Sequence, residues 1–80
     1  MSKEEFLIEF GKQVEARRKA LNLSYRQLAQ RCDIDSSDIS KIEKGQKRIQ
    51  LTTVFEICKG LDIHPRELFD FDFDTGKGLF

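Results

Sequence analysis

Apolar positions along the chain recur mostly at three- and four-residue spacing, so the sequence predicts helices rather than sheet over nearly its whole length. Phe6, Phe10, Val14 and Leu21, with Leu7 beside them, mark one stripe. Ser2 and Glu5 form a capping-box pattern at its start, and Asn22, a residue that tolerates left-handed backbone, marks its end. Ser24 with Gln27 repeats the capping pattern and opens a second, short helix in which Leu28, Ala29 and Cys32 point inward. The chain turns at Asp33. Asp35 is placed to cap a third helix whose buried stripe is Ile39 and Ile42, and Gly45 stops it. A fourth helix is predicted from about Leu51 to Gly60, burying Leu51, Val54, Phe55, Cys58 and Leu61. His64-Pro65 opens a fifth, since proline suits the first helical position, and Leu68 and Phe69 close the core.

The period changes at the C-terminus. Phe69 to Asp74 alternates apolar and acidic residues, a strand pattern with one greasy and one charged face, and TGKGLF then becomes loose. A lone strand is not stable in water. The segment therefore needs a partner: the same strand of a second copy, the domain itself, or another protein.

Tyr25 to Lys44 thus reads as two short helices joined by a tight turn. A small residue, Ala29, stands where the helices must cross, since a larger one would hold their backbones apart. This is a helix-turn-helix, whose second helix fits the major groove of DNA. Around it, LA at 28–29, the Ile39–Gly45 run and GLDIHPRELF at 60–69 stand in order and at matching spacing. Over residues 6 to 69 the chain resembles the lambda-repressor/Cro (Xre) family of DNA-binding domains. The resemblance implies an all-α, five-helix lambda-repressor-like fold over residues 1–69, with the helix-turn-helix at 25–44 and a short extended tail at 70–80 as a candidate dimerisation strand.

Charge adds to this picture through its distribution. The net charge is zero, yet residues 12–48 carry ten basic groups against five acids, with acidic balances of −2 before and −3 after. The local field of the helix-turn-helix half, rather than the net charge, acts on phosphates. The resemblance implies base contacts from Ser36, Ser37 and Lys41, which face away from Ile39 and Ile42. Serine donates or accepts at several bases, and lysine suits guanine O6 and N7. Ser24, Tyr25 and Arg26 at the start of the second helix, with Ser40, Lys44, Lys47 and Arg48, are the candidate phosphate contacts. The family's matching arginine and glutamate pair ties the first helix to the third, which here implies Arg18 with Glu43. Three departures from the family pattern stand out. Asp33 replaces a usual glycine, and aspartate can adopt the left-handed backbone such a turn uses; Asp35 and Asp38 put negative charge beside the DNA-facing surface; Ile49 replaces a common proline, leaving that loop more flexible.

Other chemistries find little support. One histidine, His64, reads as a helix cap and completes neither a catalytic set nor a zinc site, and there is no glycine-rich phosphate loop. Cys32 and Cys58 sit at apolar helix positions and read as reduced core thiols. No enzyme activity, cofactor or metal is expected. Eighty residues suit one small domain; none of its apolar runs approaches the ~20 residues of a membrane span, and Met1 leads directly into SKEEF without a signal peptide. A cytoplasmic regulator binding double-stranded DNA as a homodimer is the expectation, with Phe69, Phe71 and Phe73 as candidate dimer residues. The alternative is an antitoxin or adaptor whose main partner, a toxin or other protein, docks on the tail. Controller proteins of restriction–modification systems resemble this single-domain design, as do antitoxins.

Overall fold

In a computed structural model of the chain, which describes residues 1–74 and Gly76, four α-helices and one 3-10 turn surround a single core. The helices are α1 (Lys3–Ala20), α2 (Tyr25–Ala29), α3 (Ser36–Glu43) and α4 (Leu51–Leu61). The fifth expected helix is the 3-10 turn Pro65–Leu68. The fold is the all-helical, lambda-repressor-like class read from the sequence, with a tighter last element.

Local chemistry explains the boundaries. Ser2, Ser24 and His64 each cap reciprocally, the side chain accepting a backbone N–H while the residue three along accepts the cap's own N–H. The C-termini of α1, α3 and α4 close alike, at the left-handed residues Asn22 (φ 57°), Gly45 (φ 70°) and Asp62 (φ 56°). In each case the next residue's N–H reaches back to a carbonyl of the last turn: Leu23 to Arg18, Gln46 to Lys41, Ile63 to Cys58. Asp33, which could take the left-handed backbone of the usual glycine, does not. Its N–H instead donates to Glu56 Oε1 at 2.9 Å, and this bracket from α4 holds the turn in place of backbone strain. Glu56 also meets Lys59 Nζ at 2.8 Å, and the two contacts hold its carboxyl below the ordinary carboxylate value.

Phe10, Val14, Leu28, Ile39, Ile42, Val54, Ile57, Cys58, Leu61 and Leu68 form the core. The face predicted for α4 needs correction. Leu51 is 85% and Phe55 64% exposed, and Ile57, which periodicity left out, is fully buried. Two overlapping apolar stripes run along α4, and the one containing Ile57 is buried together with Gly60. A Cβ there would lie 2.8 Å from Leu28 Cδ1 and 3.2 Å from Cys32 Cβ. Glycine here gives Leu28 and Cys32 room against α4 without displacing their side chains. Leu21 is exposed because the helix ends before it, and Phe69 is 40% exposed, leaving Leu68 to close the core.

The described part of the tail forms no strand. It folds back on α1, with the Phe69, Phe71 and Phe73 rings 6.0, 5.6 and 5.7 Å from that of Phe6. The Met1 ammonium donates to the Asp74 carbonyl at 2.8 Å. An isolated alternating segment gains more from burying its phenylalanines against α1 than from an unpaired strand. Apart from Gly76, the segment TGKGLF lies outside the described residues.

A second glycine brings α1 against α3. A Cβ on Gly11 would lie 2.4 Å from the carbonyl oxygens of both Ile42 and Glu43, rigid backbone atoms at the end of α3. Gly11→Ala should therefore lower unfolding free energy by about 1–3 kcal/mol, the usual cost of overpacking, despite alanine's better helix propensity. Urea denaturation reads this directly, and a variant as stable as the parent would show that α1 and α3 are further apart.

Candidate nucleic-acid interface

The sequence of α3 sorts its side chains by chemistry. Ile39, Ile42 and Glu43 point into the protein. What remains is Ser36, Ser37, Ser40 and Lys41, followed by Lys44 at the C-cap. Ser37, Lys41 and Lys44 are exposed and stand four and three residues apart, on one face of the helix. Ser36 and Ser40 flank that face, half-buried. The outer surface of α3 is thus hydroxyl and ammonium groups on a rigid rod. No apolar side chain of α3 interrupts it.

The pose of this rod depends on Arg18. The guanidinium of this α1 residue meets the Glu43 carboxylate side-on, Nε to Oε2 at 2.7 Å and Nη2 to Oε1 at 3.0 Å. Nη1 donates to the Leu23 carbonyl at 2.7 Å, and the plane stacks 4.3 Å over the Tyr25 ring. Both partners are buried, and the carboxylate beside it raises the guanidinium pKa further above its ordinary value. One side chain thus joins α1, the entry to α2 and the end of α3.

The other sequence-derived candidates divide into free and engaged groups. Arg26 and Arg48 are exposed. Ser24 caps α2, its hydroxyl accepting from the Gln27 N–H at 3.1 Å. Tyr25 is half-buried beneath Arg18, so its ring belongs to the packing of this corner. Lys47 lies 3.4 Å from Asp38 on α3. That pair offsets the negative charge of Asp38 beside the outer face of α3 and tethers the basic loop to the helix that it follows. Arg31 and Arg17, part of the basic excess, are structural: Arg31 Nε donates to the Gly60 carbonyl at 2.7 Å, and Arg17 pairs with Glu67 at 3.3 Å. Asp35 caps α3 by backbone geometry alone, without a side-chain hydrogen bond. Sequence reading missed the Lys47–Asp38 pair and the Glu56 bracket, because both join residues with no periodic relation. The close approach at Gly11 did leave a signal, a glycine inside a helical pattern.

Burial raises the pKa of the Cys32 and Cys58 thiols, so both stay protonated at neutral pH. Among the described residues, no cluster of histidine, cysteine and acidic groups could hold a metal ion, and no helix is long and apolar enough to cross a membrane.

A short helix buttressing a second one, whose polar face is presented outward and flanked by cations, defines a helix-turn-helix DNA-binding protein. The helix-turn-helix family model matches residues 14–68, and the chain belongs to that family, the Cro/C1-type transcriptional regulators. It is 36% identical over 63 residues to the control protein C.BamHI of Bacillus amyloliquefaciens, covering 78% of each chain. It superimposes on the restriction–modification controller protein C.AhdI of Aeromonas hydrophila with a TM-score of 0.76 at 36% identity, over 79% of this chain and 96% of that one. The fold also matches the controller protein C.Esp1396I, solved as a tetramer with its natural 35 base-pair operator (TM-score 0.75, 22% identity, 81% of this chain and 86% of that one).

The Arg18 junction is testable without DNA. Arg18→Met leaves Glu43 buried and unpaired and should cost about 3–5 kcal/mol in urea unfolding, whereas Arg18→Met with Glu43→Met should recover much of that loss. A single variant within ~1 kcal/mol of the parent would mean that the pair is not buried in solution.

Proposed function

We propose that the chain is a sequence-specific transcriptional regulator of the controller type, acting in the cytoplasm. A homodimer binds a pseudo-palindromic operator and places residues 36–44 of each copy in successive major grooves, about 34 Å apart. The observation that carries this reading is the division of α3: isoleucines and the ion-paired glutamate inward, serines and lysines outward. Ser36, Ser37 and Lys41 read base edges. Ser24, Tyr25, Arg26, Ser40, Lys44, Lys47 and Arg48 fix the register on the phosphates, with Lys47 shared between Asp38 and the backbone. The relatives support this: the C.Esp1396I structure holds a tetramer on an operator, and C.AhdI is a controller protein of restriction and modification. A single domain of this size binds weakly, so two linked half-sites are the route to useful affinity.

The test is selection from randomised duplexes near physiological salt, followed by binding of the enriched sequence. An inverted repeat should emerge. Ser37→Ala with Lys41→Ala should reduce its affinity by about 1–3 kcal/mol per lost base contact, towards the ~10⁻⁴–10⁻⁶ M of non-specific binding. Arg48→Ala should weaken all sequences alike and lower the salt slope by about one. Retention of full specificity by the double variant would refute the assignment of the reading face.

A further inference from the structure

The first turns of α1 face the loop that follows α3, and a cleft of about 490 Å³ opens between them. Phe6 and Leu7 of α1, Ile49 of the loop and Phe73 of the tail supply apolar walls. Two cations join the lining, Lys3 from the start of α1 and Arg48 from the loop. Both are exposed, and neither takes part in an ion pair among the described residues. No described carboxylate lines this cleft, in contrast to the recess that Lys47 shares with Asp33, Asp35 and Asp38. Its size lies within the ~300–1,000 Å³ of small-ligand sites, and an apolar lining with a few convergent polar groups is their usual composition.

We propose that this cleft binds a small amphipathic anion, a carboxylate carrying an aryl or alkyl body, and that such a ligand acts as an effector of DNA binding; the effector role rests on the phosphate contact assigned above to Arg48. Charge complementarity selects the occupant. A neutral apolar molecule leaves both cations without a counter-charge. A strongly charged one, such as a nucleoside phosphate, sets polar groups against apolar walls. An amphipathic carboxylate meets both demands. Its body covers Phe6, Leu7, Ile49 and Phe73, and its head accepts from the Arg48 guanidinium, whose planar fork matches a carboxylate in bidentate geometry, with Lys3 as a second charge. The cleft and the DNA then share one residue. Arg48 cannot offer its fork to a carboxylate and to a phosphate together, and the bound anion places a negative charge beside the DNA backbone. Ligand and operator therefore weaken each other's binding by the same factor. The helix-turn-helix domain thereby carries a chemical input of its own.

Phenylbutyrate, with its neutral amide as control, tests this on the full chain. Titration into isotope-labelled protein should move the amide resonances of Lys3, Leu7, Arg48 and Ile49 and saturate with a Kd of about 0.1–1 mM, the range of a ligand this small. The amide should bind about ten-fold more weakly or worse, having lost the charge-assisted contact. At constant ionic strength, saturating phenylbutyrate should weaken operator binding about five-fold or more. Lys3→Ala, at an exposed position outside the proposed DNA contacts, should leave operator binding unchanged and lose most of the affinity for phenylbutyrate. Arg48→Ala should abolish the effect of phenylbutyrate on whatever operator binding that variant retains. No saturable shift at the cleft, or equal binding of acid and amide, overturns the site. Saturable binding that leaves the operator affinity of the parent unchanged overturns the effector role. Phosphatidylglycerol vesicles that shift the same resonances when phenylbutyrate does not would assign the cleft to a membrane surface and overturn the proposal. The titration needs no DNA, so a chain that binds phenylbutyrate but selects no operator refutes the DNA-reading assignment and not the cleft.

Discussion

The buried Arg18–Glu43 pair is the constraint on which the pose of α3 depends. Removing two charges from water is unfavourable, and a single hydrogen bond would not compensate. Here the cost is offset by saturation: the guanidinium fork makes two bonds to the carboxylate and one to the Leu23 carbonyl, with an aromatic ring against its face. Among the described residues, no buried side-chain nitrogen or oxygen lacks a partner. An apolar replacement of similar size could fill the same space, but it would hold less geometry. The bidentate pair specifies both the distance and the rotation of α3 relative to α1.

Glycines complete this placement by letting backbones meet. Gly11 allows α1 to touch the terminal carbonyls of α3, and Gly45 both supplies the left-handed stop and leaves room for Ile8. With α3 held at its far end by contact and charge, its serines and lysines stay on the outer face. The Lys47–Asp38 pair belongs to the same design. An acidic side chain at the rim of a DNA-binding surface repels phosphate unless a cation accompanies it, and the basic loop supplies one.

The apolar surface of α4 and the aromatic collar around Phe6 differ in what covers them. The collar satisfies the tail within one chain, whereas Leu51 and Phe55 stay exposed on α4. Small domains bury a limited fraction of their surface, so apolar groups that cannot enter the core remain outside it.

Much of this was legible along the chain, because helices and their ends are local phenomena. Capping at Ser2, Ser24 and His64, the stop at Gly45 and the inward stripe of Ile39 and Ile42 depend on residues within a turn of one another, and all stand in the structure as the sequence implies. The outward residues of α3 follow from the same periodicity. Choices among equally periodic alternatives were made by distant contacts. Which stripe of α4 is buried depends on the elements packed against it, the conformation of Asp33 on a carboxylate more than twenty residues away, and the course of the tail on a phenylalanine near the other end of the chain. Local pattern determines what a segment can be; the face that it buries is a property of the neighbour it meets.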